Sequence, residues 1–200
     1  MKTLNCLLIA LAAFLGAGCS ATPGDAAYRA GHPDEAARLY NAGAEQGDAV
    51  AARKLGLLIE EGQIGENAYG SPGKWFKRGC DLGDLPSCHN AGVGYEYGKS
   101  GLEKDYGQAR AYYQKAAKRD YMQSQYNLAS LYANEYFEDD VEGYKWLLIS
   151  QRQAHECSGQ SVCQWVLSDP PGHKSALEER MSLRAIESAE SEASEWMSRH

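Results

Sequence analysis

Residues 91–120 read AGVGYEYGKSGLEKDYGQARAYYQKAAKRD. Ala91, Gly92, Tyr95 and Gly98 fall three or four places apart, the spacing of one face of a helix. After a short polar loop ending in Asp105, a second run carries Ala109, Tyr112, Tyr113, Ala116 and Ala117 at helical spacing. The stretch therefore encodes two helices. The small residues let a neighbouring helix approach closely, and the aromatic one turn later fills the gap beside them.

The same two patterns recur along the chain. Tyr112-Tyr113 with Ala116-Ala117 has counterparts in Leu39-Tyr40 with Gly43-Ala44, Trp75-Phe76 with Gly79-Cys80, and Trp146-Leu147 with Ser150-Gln151, at steps of 36, 37 and 34 residues. Between them, Ala52, Leu55, Gly56, Ile59 and Gly62 match Cys88, Ala91, Gly92, Tyr95 and Gly98, and then Gln125, Leu128, Ala129, Tyr132 and Glu135. Phased repeats of this length indicate helix pairs that bury their apolar faces by stacking on their neighbours. The alternative is a helical bundle with chance similarity. Helices are expected near 33–46, 49–61, 71–82, 85–97, 105–119, 122–135 and 140–154. Pro33 with Asp34 and Glu35 suits a helix start, and Asp105 precedes another.

These residues resemble the Sel1-like repeat, a relative of the tetratricopeptide repeat. Its pattern of small, aromatic and glycine positions is best matched by Gly92, Tyr95 and Gly98, followed by Asp105, Ala109, Tyr112, Tyr113, Lys115, Ala116 and Ala117. The resemblance implies an all-α fold, a right-handed α-solenoid of helix-turn-helix repeats, over residues 32–154. The first repeat departs from the pattern in its loop, QIGENAYGSPG, and the third has lost glycine at Ala129 and Glu135. A weak echo returns at Ala193 and Trp196.

The cysteines fit this frame. Gly83-Asp84 is expected to turn between two antiparallel helices, with Cys80 and Cys88 four residues either side of Asp84. At about 1.5 Å per residue the two stand at one height on facing helices, which permits a disulfide. Two buried free thiols are the alternative. Some secreted Sel1-like proteins are cysteine-rich with this spacing, so the resemblance supports the bridge. Cys157 and Cys163 bracket a polar stretch, and 155–172 reads as an insertion loop closed by a second disulfide. Residues 173–200 then read as a final helix pair that caps the solenoid, with Leu183, Ile186, Ala189, Ala193 and Met197 facing inward.

At the other end, Lys2 precedes an apolar run from Leu7 to Leu15, followed by Gly16, Ala17, Gly18 and Cys19. This is the layout of a secretory signal over 1–18, too short for a membrane span; a short buried helix is the alternative. The segment LGAGC resembles a bacterial lipobox, although Gly16 stands where leucine is usual. The resemblance implies lipidation of Cys19, a linker over 19–31, and, with Ser20 following, an outer-membrane anchor facing the periplasm. The alternative is a soluble secreted or periplasmic chain. A net charge of −7 and scattered basic residues argue against nucleic-acid binding. Cysteines in an exported chain read as disulfides.

Chemical motifs are sparse. Ser71-Pro72-Gly73-Lys74 matches the S-x-x-K of penicillin-recognising enzymes, but the chain has no S-D-N or K-T-G partner motif. His155 lies beside Glu156 and Cys157 without metal-ligand spacing, and His32, His89, His173 and His200 are dispersed. No catalytic residue, metal or cofactor is assigned. By analogy with tetratricopeptide solenoids, a concave groove is expected to be lined by Arg53, Leu57, Glu60, Glu61, His89, Val93, Glu96, Tyr97, Tyr126, Ser130 and Asn134. A plain solvated face is the alternative for most of them. The expected function is a non-enzymatic, envelope-anchored adaptor that binds a protein partner. The rivals are a periplasmic immunity protein neutralising a secreted effector, and a penicillin-binding or β-lactamase-like activity.

Overall fold

The computed structural model describes residues 22–157 and 159–200. Twelve helices and no strand occur among them: α1 Gly24–Arg29, α2 Pro33–Glu45, α3 Ala49–Glu60, α4 Glu66–Tyr69, α5 Pro72–Asp81, α6 Leu85–Tyr97, α7 Tyr106–Ala117, α8 Met122–Ala133, α9 Asp140–Glu156, α10 Ser161–Ser168, α11 His173–Glu178 and α12 Leu183–Arg199. Consecutive long helices pack side by side from α2 through α3, α5, α6, α7, α8 and α9, as a solenoid requires. The signal segment and Cys19 lie outside the described residues.

The repeat works through matched small and large residues. A Cβ placed on Gly56 would come within 2.7 Å of the Phe76 ring, and one on Gly92 within 2.5 Å of the Tyr113 ring. Phe76 and Tyr113 are fully buried, so each ring fills the space its glycine leaves. The turns repeat as well. Gly47, Gly83 and Asp120 occupy the left-handed region at one repeat position, and Gly62, Gly98 and Glu135 at another. Asp48 and Asp84 then cap α3 and α6 by accepting hydrogen bonds from backbone N–H groups of the first turn.

Cys80 and Cys88 form a disulfide across the Gly83-Asp84 turn, with Cα atoms 4.5 Å apart, and together with Ala116 they make a small buried cluster. Cys157 and Cys163 form the second bridge.

Four local expectations change. The segment 19–31 is not all linker: α1 forms at its end, where the Thr22 N–H and hydroxyl both donate to Asp25 and Pro23 precedes the helix. The irregular loop of the first repeat holds the short helix α4. The segment 155–172 is not a plain loop, because α9 runs on to Glu156 and α10 follows. Cys163 and Val166 of α10 are almost fully buried in the core it shares with α8, α9 and α12. Finally, Ala189 and Ala193 of α12 face inward, but Leu183 at its first turn is 81% exposed.

No helix among the described residues is long and apolar enough to cross a membrane.

Candidate interaction groove

The expected groove residues lie on α3, α6 and α8 and the turns that follow them. Three side-chain links join these helices in order. The Arg53 guanidinium on α3 donates to the Asp84 carboxylate that caps α6, at 2.9 Å. The Ser100 hydroxyl beyond α6 donates to Glu60 of α3. The His89 ring on α6 meets the Ser124 hydroxyl of α8 at 3.2 Å. Burial pushes His89 down to about 4, so the ring is neutral at pH 7; it lies against Tyr113 and Tyr121.

Not every expected residue reaches the surface. Glu96 is buried and accepts a 2.6 Å hydrogen bond from the Tyr113 hydroxyl, which in turn accepts from the Asn127 amide. Burial, with the Glu96 carboxylate second, raises the Tyr113 hydroxyl far above its usual range, so it stays a donor. Glu96 thus serves the packing between α6 and α7. Tyr126 is also buried, at 1% exposure, because α10 folds over it: the Trp165 indole meets its ring edge-on at 4.8 Å, and its hydroxyl donates to Asp169. A groove assignment from repeat position alone misses a segment of the same chain lying on top.

The remaining positions stay accessible to different degrees. Leu57, Val93 and Ser130 are half-buried, and Glu60, Glu61 and Asn134 are exposed. The Asn134 amide donates back to the Ser130 carbonyl. Leu57 and Glu61 also wall a cleft of about 310 Å³ between α1, α2 and α3. Its floor is the Lys54–Asp25 ion pair, to which the Tyr40 hydroxyl adds a hydrogen bond.

Tyr97, at the end of α6, is 64% exposed. It lies within electrostatic reach of Tyr106 and Tyr136, whose rings stack on each other. Tyr136 is 42% exposed and the Lys104 ammonium lies over the Tyr106 ring. Of the three, only Tyr97 holds a repeat position expected to line the groove. The available signal was that Tyr97, Tyr106 and Tyr136 all border turns that follow the first helix of a repeat.

The S-x-x-K stretch is a helix start. Ser71 is the N-cap residue of α5, Pro72 and Gly73 are buried at its first turn, and Lys74 lies exposed with its ammonium over the Trp75 ring. The Lys74 N–H donates to the Ser71 carbonyl. Among the described residues, no group of three or more His, Cys, Asp or Glu side chains could hold a metal ion.

Comparison with known proteins agrees with this architecture. The Sel1 repeat model matches residues 33–48, 73–84, 85–121 and 123–153. The unmatched residues between 48 and 73 include the irregular loop that holds α4. No curated protein matches the chain. A protective antigen of uropathogenic Escherichia coli strains, displaying an SLR fold, superposes with a TM-score of 0.62 at 21% identity, over 82% of this chain and 33% of that one. A Sel1 repeat protein from Oxalobacter formigenes superposes with a TM-score of 0.56 at 29% identity, over 64% of this chain and 55% of that one. The chain thus spans about a third of the first structure and about half of the second. The helical array of this chain is an array of Sel1 repeats.

Proposed function

We propose that this chain is an envelope-anchored, non-enzymatic scaffold that holds a protein partner along the surface of α3, α6 and α8. Sel1 repeats typically mediate protein–protein interaction. The observation that carries the reading is the tyrosine cluster in which Tyr97 and Tyr136 are exposed and Tyr106 is half-buried, on a surface that also carries the half-buried Leu57 and Val93. Tyrosine supplies a large apolar face and a polar tip at little entropic cost, which is why it anchors protein interfaces. The two disulfides suit an oxidising, extracytoplasmic setting. The lipobox-like LGAGC segment supports attachment through Cys19, with the outer membrane as the destination and the periplasm as the side faced.

The test is chemical crosslinking of envelope fractions that carry the full chain, followed by mass spectrometry. One stoichiometric envelope protein is the expected product; recovery of peptidoglycan fragments alone contradicts the reading. In parallel, Cys19→Ala should move the chain from the membrane to the soluble fraction. Retention at the membrane would remove the anchor from the account.

A second reading has support in the exposed Glu60 and Glu61 on the rim. An acidic rim suits a basic partner surface, as in an immunity protein that masks a secreted effector. A deletion strain should then lose survival against effector-bearing kin, and unchanged survival contradicts that version.

A further inference from the structure

The insertion between the last repeat and the capping helices does more than close a loop. Helix α10 packs on α9 and sets Trp165 against Tyr126 of α8, leaving a cleft of about 170 Å³ lined from α8 and α10 that reaches back to α6. Its walls are aromatic, aliphatic or amide: Tyr126 and Trp165 on one side, Val162 beside them, and the side chains of His89, Gln123 and Asn127. None carries a charge at neutral pH, since burial keeps the His89 ring neutral. On α10, Cys163 and Val166 are buried at 1% exposure, while Trp165 is left 46% exposed at the cleft.

This position is fixed from several directions. The Cys157–Cys163 bridge ties the start of α10 to the end of α9. The Tyr126 hydroxyl donates to Asp169 at 2.7 Å, just past the end of α10, and Asp169 also accepts from the Lys174 N–H of α11. The Tyr126 ring is held between the Trp165 indole and the His173 ring. The half-exposed indole is therefore mounted on a rigid support.

We propose that the α6–α8–α10 cleft is an anchor pocket for one uncharged, apolar side chain, leucine- or phenylalanine-like, presented by the protein partner. The proposal rests on the scaffold reading above and names the partner's chemistry at one end of its surface. Pockets that enclose a whole small molecule run from about 300 Å³ upward, so this cleft is sized for a single side chain. Charged side chains are excluded, because no wall offers a counter-charge for an ion losing its water. A backbone amide flanking the anchor finds donors and acceptors in Gln123 and Asn127. A half-exposed tryptophan rim around a desolvated pocket is where binding energy concentrates in protein interfaces.

The test titrates the full, disulfide-bonded chain, labelled with ¹⁵N, with N-acetyl-leucinamide, N-acetyl-phenylalaninamide, N-acetyl-lysinamide and N-acetylglucosamine. The two apolar amides should shift the Trp165 indole and the Gln123 and Asn127 side-chain amides, and the other two should not. Trp165→Ala should weaken that response about tenfold, the effect of truncating an interface anchor, and Trp165→Phe should largely restore it. A pocket left unshifted by the apolar amides overturns the proposal, and so does an equal or stronger response to the lysine amide or the sugar. A photo-crosslinker at Trp165 and another at Tyr97, each in cells, separate this proposal from its basis. A protein adduct at Tyr97 without one at Trp165 removes the pocket alone; adducts at neither remove the scaffold reading with it.

Discussion

Gly92 and Tyr113 make one fitted pair, and the fit is tight enough to test. A methyl on Gly92 would stand 2.5 Å from a buried ring that is itself tied to Glu96 and Asn127. Gly92→Ala should therefore destabilise the chain by about 1–3 kcal/mol, the usual cost of overpacking, visible as a lower urea midpoint. Asp25 gives a second residue-level prediction. Burial alone would raise its pKa, but hydrogen bonds from Lys54, Tyr40 and Thr22 outweigh burial and hold it near 2, below the ordinary 3.8. Its stabilisation is fully present above the unfolded value and is lost as pH falls from about 4 through 2. Asp25→Asn should thus cost about 1–2 kcal/mol at pH 7 and a small fraction of that at pH 2, where the carboxylate is half protonated, measured by denaturant unfolding at the two pH values.

At the scale of the element, the third repeat departs from the first two in a way the chain tolerates. Where they place glycine at the left-handed turn positions, it places Asp120 and Glu135, with φ of 62° and 61°. L-residues pay about 1–2 kcal/mol for that conformation, partly offset by the greater freedom of glycine when unfolded. Asp120→Gly and Glu135→Gly should each raise stability by up to about 1 kcal/mol, read as a higher melting temperature. The Cys80–Cys88 bridge staples α5 to α6 across an eight-residue separation. A short loop of this kind contributes about 2–3 kcal/mol, so replacing both cysteines with serine should cost about that much with the helices retained.

The elements themselves were largely legible in the sequence, because a glycine, an aromatic and an Asp cap recur in phase. Gly83-Asp84 marked its turn, and the spacing of Cys80 and Cys88 about it marked a bridge. What escaped was short and outside the repeat. Helix α1 depends on the hydrogen bonds from Thr22 to Asp25 and on distant Tyr40 and Lys54. Helix α10 has only eight residues, too few for its Val162, Cys163 and Val166 to declare a period. Missing α10 had a consequence for the groove, since repeat position placed Tyr126 at the surface and α10 buries it. Glu96 was misplaced for another reason: its bond to Tyr113 crosses from α6 to α7, and the apolar periodicity of a single helix does not encode a polar pair that satisfies itself in the core.

Taken whole, the molecule is a short stack of Sel1 repeats with a modified far end. Its first helices carry a cleft floored by an ion pair, its middle carries the exposed tyrosines, and α10 to α12 close the last repeat. A solenoid of this size binds along its length, so the face that carries Tyr97 should engage a partner while the outer face of α12 should not. The most direct test replaces Tyr97, and separately the exposed Glu187 of α12, with a photo-crosslinking amino acid in the full chain in its native cells. The account predicts one protein adduct from Tyr97 and none from Glu187. No protein adduct from Tyr97, or the same adducts from both positions, would contradict it.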